Sequence, residues 1–226
     1  DDARPLAEQI ALLSDKPLDS RPLETLIDDT RVQGERQSAF ATADDSAAFL
    51  LFHWVGDIRG RHLLAVWLDL VLAAAADPGA TRYAVLLGLA EEKQSVHLRQ
   101  LRLQAPSQQR AKECIALALQ WYWQIWQQPF PHLPDTLWSV MQAQQACAEK
   151  YPDDDNACAE SLNKKLALLA DAEFDELASP YLQRCLPDFC QHTLLADPAG
   201  WLADYGGLMQ MLADFVEADD QTGGTV

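Results

Sequence analysis

The sequence predicts an α+β protein in which a small mixed sheet with crossover helices is followed by a helical portion. Strand-like runs surround one strongly apolar helix before Ala105, and the apolar spacing after it is that of helices. The 226 residues are enough for one large domain or two small ones. We therefore expect residues 1–105 to form an α/β core with N-terminal helices, residues 106–218 a helical portion packed on that core, and residues 219–226 a disordered tail.

Two short helices are expected at the start of the chain. The first has apolar residues at near-helical spacing, namely Leu6, Ile10 and Leu13. The second is predicted to begin at Ser20, with Pro22 in its first turn, where the missing N–H costs little. Its apolar residues are Leu23, Leu26 and Ile27.

A β-hairpin and a crossover helix are expected next. Residues 30–40 and 47–55 are separated by a turn-rich connection, which favours a hairpin. A helix with a broad apolar face follows Gly60 and ends at Asp77-Pro78-Gly79. Two further strands are then predicted, the first a continuous apolar run over residues 81–89 and the second an alternating run over residues 95–103 with a bulge near Arg99.

The second half of the chain reads as helical. Ser107 is expected to cap a helix that runs to Gln128. Trp121, Trp123 and Trp126 widen its apolar stripe nearly around the helix, so we expect part of it to meet another domain or subunit. Prolines then force an extended connection. Further helices are predicted over residues 136–150, 158–172, 180–195 and 198–217.

The charge balance limits the partners of this chain. A formal net charge of -17 repels a phosphate backbone, which argues against autonomous DNA binding. A local basic strip at Arg59, Arg61 and His62 is the exception. No apolar run approaches the roughly 20 residues that a bilayer requires. The chain begins without Met and lacks a signal-peptide pattern, so we expect a fragment of a cytoplasmic protein.

Several sites with their own chemistry are disfavoured by the residues present. The cysteines are odd in number, and Cys185, Cys190 and His192 lack the two-pair spacing of a zinc site, so reduced and buried thiols are expected. The histidines have no Ser or Cys nucleophile in a recognisable turn, and no glycine-rich loop is followed by Lys-Ser or Lys-Thr. We predict no cofactor and no metal.

Three motifs in order resemble the C-terminal region of RecC, the gamma subunit of bacterial exodeoxyribonuclease V. The first, a strand-to-helix segment, reads Gly56-Asp57-Ile58-Arg59-Gly60-Arg61-His62-Leu63-Leu64-Ala65-Val66-Trp67-Leu68. The second, a proline-rich motif, reads Gln127-Gln128-Pro129-Phe130-Pro131-His132-Leu133-Pro134-Asp135-Thr136-Leu137-Trp138. The third is Ser179-Pro180-Tyr181-Leu182. Two departures are a less basic segment near Asp57 and His132-Leu133 where the family commonly has an aromatic residue.

The resemblance implies a fold similar to that of the PD-(D/E)XK nucleases: a helix, a β-hairpin, a crossover helix and further strands. Active members hold Mg²⁺ on an Asp and a second acid, with a Lys two residues after that acid. Magnesium needs such oxygen ligands both to activate water and to neutralise developing charge. Here Gln37 falls near the first Asp position, and Phe52-His53-Trp54 falls in the acid-x-Lys position. The resemblance therefore implies a degenerate nuclease fold without catalysis.

The function implied by the resemblance is that of an interaction domain in a helicase-nuclease complex for double-strand break repair and recombination. It would work beside RecB-like and RecD-like subunits, dock the RecD-like subunit and guide a DNA strand within the assembled complex. We expect Trp123, Phe130 and Leu133 to be apolar anchors for the partner, and Arg59 and Arg61 to contact the strand.

An alternative is an active, Mg-dependent PD-(D/E)XK-type DNA nuclease. In this second register Asp57-Ile58-Arg59 would occupy the acid-x-Lys position, and another acid would have to come from elsewhere in the chain. Arg59 would then stand where the nucleases have Lys, and arginine is too basic to substitute easily for it.

Overall fold

A computed structural model describes residues 3–92, 95–127, 133–152, 154–171, 176–186 and 196–217 of the chain. It confirms a mixed α+β fold. Its elements, in chain order, are α1 (Arg4–Leu13), β1 (Arg21–Ile27), β2 (Thr30–Arg36), β3 (Ala39–Ala41), β4 (Ala48–His53), α2 (Gly60–Ala76), β5 (Thr81–Glu92), β6 (Ser95–Gln104), α3 (Gln108–Gln127), α4 (Pro134–Lys150), α5 (Asp155–Asp171), a 3₁₀ turn (Glu176–Ala178), α6 (Pro180–Cys185), α7 (Pro198–Tyr205), α8 (Gly207–Ala213) and β7 (Val216–Glu217).

The larger sheet has five strands in the order β3-β4-β5-β6-β7. β3 and β4 form an antiparallel hairpin, and β4 runs parallel to β5. Parallel neighbours need a crossover connection, and α2 supplies it, as the apolar run after Gly60 predicts. β5 pairs antiparallel with β6, and β6 with the short β7. The sheet is therefore mixed, with α2 connecting its two parallel strands.

The core of this sheet is covered on both faces. Phe49, Leu51 and Leu87 pack with Leu6 of α1 on one side. Leu50 and Leu86 point the other way and are also buried. A strand that is buried on both faces has a continuous apolar sequence, and β5 was predicted from that pattern.

The second predicted helix is wrong, because residues Arg21–Ile27 form strand β1. Every second side chain of β1 is buried, namely Leu23, Thr25 and Ile27, which is the period of a strand. β1 pairs with β2 through the two-residue turn Asp28-Asp29, and Asp28 has the positive φ of 49° that such turns require. The predicted strand over residues 30–40 is consequently divided between β2 and β3.

Two other details of the prediction are corrected by the sheet. The pairing of β5 with β6 runs without a register shift past Arg99, so the predicted bulge there is wrong. The helix predicted over residues 198–217 is divided into α7 and α8 at Gly206, and its last residues are wrong because they form β7. Gly206 ends α7 by donating its N–H to Leu202 O, and residues Val216–Glu217 pair with β6 because the edge of that strand accepts them.

The helix predicted over residues 180–195 ends earlier, at Cys185, because Leu186 has a non-helical backbone. Other helices agree with their sequence signals. Arg110 N donates to Ser107 Oγ at 3.3 Å, so Ser107 caps α3 as predicted. Among the described residues after Gln104, every element except β7 is helical. The domain boundary predicted at residues 105 and 106 stays a prediction. Residues 187–195, with Cys190 and His192, and the tail 219–226 lie outside the described residues.

The chain falls into two compact units. The first consists of residues 1–58, 62–119 and 212–226, and the second of residues 59–61 and 120–211. No helix in the described part of the chain is long and apolar enough to cross a membrane. Cys114 and Cys147 are buried as predicted, whereas Cys185 is exposed on the short helix α6, which corrects the expectation for that thiol.

Candidate functional site

The open end of the β3–β4 hairpin carries the positions that the resemblance assigns to nuclease acids. Ala39 pairs with Leu50, so Gln37 and Phe52 lie at the same end of the hairpin, each two residues beyond that pair. Gln37 is exposed, and its Nε2 donates to Glu35 Oε2 at 2.8 Å. The amide at the first position is thus held by a side chain of β2.

Three aromatic rings are stacked at the acid-x-Lys position. The ring centroids of Phe52 and Trp54 are 6.4 Å apart with an interplanar angle of 14°. The rings of Trp54 and His62 are 4.4 Å apart at 13°. We call Phe52, Trp54 and His62 the ring stack. It offers no carboxylate for a metal and no lysine amine for the attacking water.

The segment between β4 and α2 is pinned to β5 by a close backbone approach. Gly56 O accepts from Leu89 N at 2.7 Å. A Cβ on Gly88 would lie 2.8 Å from Gly56 O and 2.7 Å from Ile58 Cγ1, so only glycine fits there without displacement. Gly88 pairs with Arg99 of β6, so this contact places Asp57 beside the middle of β6.

Asp57 is paired in this position. Its Oδ1 lies 3.2 Å from Arg99 Nη1, and its side chain is largely exposed. Within the part of the chain that the structure describes, no three His, Cys, Asp or Glu side chains are grouped closely enough to hold a metal ion. The arrangement at Asp57 is that of a surface ion pair.

The first two sequence motifs contact each other in the second unit. Arg61 N donates to Asp135 Oδ1 at 2.8 Å, and Arg61 Nη1 lies 3.4 Å from Asp135 Oδ2. The Asp135 carboxylate caps the first turn of α2. The positive end of the helix dipole stabilises a negative charge in this position. A Cβ on Gly60 would overlap the carbonyl of Pro134 and lie 2.8 Å from Trp138 Cβ. Gly60 therefore permits the close packing of the two motifs.

A second carboxylate caps α4 in the same unit. Thr136 N and Thr136 Oγ1 donate to Glu176 Oε2 at 2.9 and 3.1 Å. Burial raises the pKa of the Glu176 carboxyl above its ordinary value, an effect that the charge of Asp135 reinforces and the Thr136 hydrogen bonds oppose. The start of α4 thus depends on a buried acid from the 3₁₀ turn.

Replacing Glu176 with glutamine should raise the free energy of unfolding at neutral pH. The folded state binds the Glu176 proton more tightly than the unfolded state, so the wild-type carboxyl stabilises least above its raised pKa. The contribution of the Glu176 carboxyl to the free energy of unfolding becomes more favourable as the pH falls through the raised pKa towards the ordinary value. The advantage of the glutamine variant should shrink over the same range, which urea denaturation at neutral and mildly acidic pH measures.

Glu149→Gln is the matched control for this prediction, since Glu149 is exposed on α4 and its replacement changes the net charge equally. A gain in Glu149→Gln equal to that in Glu176→Gln would mean that general charge, and not burial of this carboxyl, governs the effect.

An apolar surface lies at the end of α3 in the second unit. Its members, here called the aromatic patch, are exposed to the following extents: Tyr122 49%, Trp123 56%, Ile125 50% and Trp126 71%. The Tyr122 ring contacts the rings of Trp123 and Trp126 edge-on at 5.2 and 6.1 Å. Trp121, by contrast, is buried.

Of the other predicted partner and strand contacts, the structure describes Leu133, Arg59 and Arg61. Leu133 is half-buried and directly precedes α4, and Phe130 lies outside the described residues. Arg59 is exposed, whereas the Arg61 guanidinium pairs with Asp135.

The model of the RecC C-terminal domain family matches residues 1–145. This chain belongs to the RecC C-terminal domain family. The match includes the β3–β4 hairpin, α2 and the contact between Gly60 and Pro134. RecC belongs to the exodeoxyribonuclease V complex, RecBCD, so the family points to a subunit of that assembly. No curated protein matches the chain.

Sequence reasoning missed three features of this RecC C-terminal domain. His62 was assigned to a basic strip, yet it stacks on Trp54. Asp135 and Glu176 were not recognised as helix caps, because each of them caps a helix that is distant from it in sequence. The sequence shows that residue 135 is an acid, but it does not show that Asp135 binds Arg61, which is 74 residues away.

Proposed function

We propose that this RecC C-terminal domain is a non-catalytic interaction domain of a RecC-like subunit in a cytoplasmic helicase-nuclease complex for double-strand break repair and recombination. It docks a RecD-like subunit beside a RecB-like subunit and guides a DNA strand. The ring stack in place of the metal-binding acid and the lysine is the observation that carries this proposal.

The order of elements supports a degenerate PD-(D/E)XK-like core. α1, the β3–β4 hairpin, α2 and the parallel strand β5 follow one another as in the fold that the resemblance implies. Phe52 and Trp54 on this scaffold have no oxygen donors, and magnesium takes oxygen ligands in near-octahedral geometry. Asp57, the acid of the alternative register, forms an ion pair with Arg99. Hydrolysis of phosphodiesters is therefore not expected from this hairpin.

The aromatic patch supports the docking role. Residues 115–127 contain no Asp, Glu, Lys, Arg or His, although the chain as a whole is strongly acidic. Burying large exposed aromatic side chains against a partner releases much binding free energy, and no charged neighbour in this segment has to be desolvated. Such aromatic residues dominate the energetics of interfaces. Trp123 belongs to this patch, and Phe130 and Leu133 follow it in sequence.

Strand guidance is assigned to Arg59 and Arg61 in the assembled complex. A net charge of -17 disfavours a polyanion on this domain alone, so the partner subunits must supply the remaining positive field. Arg59 is exposed, and Arg61 Nη1 lies 3.4 Å from Asp135 Oδ2, a pairing that a phosphate contact to Arg61 would have to displace.

The catalytic question is tested by incubating the purified domain with linear DNA and Mg²⁺. We expect no degradation by the wild type, by Asp57→Ala or by the control Asp29→Ala, which removes an exposed acid from the β1–β2 turn. Degradation that Asp57→Ala abolishes and Asp29→Ala preserves would establish the alternative of an active nuclease.

The docking role is tested by measuring the binding of the purified RecD-like subunit with and without the RecB-like subunit. Trp123→Ala and Phe130→Ala should each weaken binding roughly thirtyfold, the effect of losing about 2 kcal/mol at an interface hot spot. Leu168→Ala removes a residue that is 70% exposed on α5, outside the patch, and should leave binding unchanged. Unchanged binding in both aromatic variants would refute docking without affecting the catalytic result.

A further inference from the structure

A cleft of about 370 Å³ lies between α4 and α5, entirely within the second unit. Its volume is in the range of small-molecule sites, about 300–1,000 Å³. The residues that line it are Ser139, Gln142, Ala143, Ala146, Cys147, Lys150, Tyr151, Ser161 and Lys165.

Helical spacing explains why these side chains share the cleft. The contributions of α4 come at intervals of three and four residues, which places them on one face of the helix. Ser161 and Lys165 of α5 are also four residues apart. Because a short connection joins the two helices, they form an αα-hairpin whose facing sides enclose the cleft.

The charge of the lining is opposite to that of the chain. Lys150 and Lys165 contribute two positive charges, and no acid is among the lining residues that the structure describes. Lys150 Nζ lies 5.0 Å from the centre of the Tyr151 ring, which holds the ammonium at the cleft.

Two described acids near the cleft, Glu149 and Asp154, accept hydrogen bonds from residues that do not line it. Glu149 Oε1 accepts from Gln145 Nε2 at 3.1 Å on another face of α4. Asp154 Oδ1 accepts from Ala157 N at 3.0 Å and so caps α5. The interior of the cleft therefore presents ammonium, hydroxyl and amide donors together.

We propose that this cleft binds the phosphate group of a ligand of about nucleotide size. Lys150 and Lys165 supply the charge, and the hydroxyls of Ser139 and Ser161 with the Gln142 amide supply further hydrogen-bond donors. The repulsion from distant acidic residues is screened beyond about 8 Å at physiological ionic strength. The site shares no residue with the ring stack and does not depend on the proposed docking role.

The test titrates the full 226-residue chain at physiological ionic strength with inorganic phosphate, adenosine monophosphate and a short single-stranded DNA oligonucleotide. Lys165→Gln and Lys150→Gln should each weaken binding about tenfold, as the loss of one charge-assisted contact does. Lys164→Gln is the matched control, since it removes the same charge from the adjacent residue of α5, which does not line the cleft.

Saturable binding of phosphate and the mononucleotide identifies a free phosphate ester as the ligand, and binding of the oligonucleotide alone identifies a nucleic-acid phosphate. Either result supports the site when only the two lining lysines matter. Absence of binding by all three probes at millimolar concentration overturns it, as does an equal loss in Lys164→Gln. Circular dichroism of each variant verifies that the helices are intact.

Discussion

Replacing Gly60 with alanine should lower the free energy of unfolding by about 3 kcal/mol, although alanine is the better helix former. Helix propensity alone favours alanine by about 1 kcal/mol in a helix interior. The added Cβ, however, would overlap the carbonyl of Pro134 and approach Trp138 Cβ to 2.8 Å. A backbone carbonyl cannot rotate away as a flexible side chain does, so overpacking decides the sign. Urea denaturation measures the difference as a lower midpoint at unchanged slope.

Gly207→Ala is the matched control, since Gly207 also opens a helix. A Cβ there would lie 3.5 Å from the Trp121 ring, which is ordinary van der Waals contact. We expect this variant to match the wild type or to gain up to about 1 kcal/mol. Equal stability of Gly60→Ala and the wild type would show that the two motifs do not pack as closely as described.

Trp67→Ala should have the other large effect, a loss of about 3–5 kcal/mol in the free energy of unfolding. Trp67 is 0% exposed on α2, and its ring lies 6.4 Å from that of Phe215. The loss approaches the whole stability of a marginal domain, which is about 5–15 kcal/mol. We therefore expect the variant to be largely unfolded at physiological temperature, as measured by near-ultraviolet circular dichroism and urea denaturation.

Two variants separate the causes of this loss. Trp67 Nε1 is buried and has no hydrogen-bond partner among the described residues, so Trp67→Phe forfeits volume but no hydrogen bond and should cost only about 1–2 kcal/mol. Trp126→Ala removes a ring that is mostly exposed and should change stability by no more than about 0.5 kcal/mol. A loss in Trp126→Ala as large as that in Trp67→Ala would contradict the burial assigned to these rings.

Helices with strong local signals were predictable from the sequence. α2 begins at a glycine and ends before Asp77-Pro78-Gly79, and α3 begins after its cap Ser107, because capping and apolar spacing act within a few residues. β1 was not predictable in this way. Leu23, Leu26 and Ile27 suit a helix, but pairing with β2 buries alternate residues and overrides that spacing.

The candidate site was predictable only in part. The resemblance located Gln37, Phe52 and Trp54, and the structure places Gln37 and Phe52 at the same end of the hairpin. The resemblance did not reveal that His62 stacks on Trp54, because that contact depends on how the chain passes from β4 into α2. The excess of tryptophan in α3 predicted an exposed aromatic surface. It did not predict that Trp121 is the tryptophan that is buried.

Short-range pattern was sufficient to establish family membership, the succession of hairpin, crossover helix and strands, and the apolar character of β5 and α2. These properties depend on neighbours a few residues away, which the chain specifies directly. Partners distant in sequence were settled only on folding: Asp135 caps α2, Glu176 caps α4, and Trp121 is covered while Trp123 is not. Helical periodicity sets the direction of a side chain, but only packing determines what meets it there.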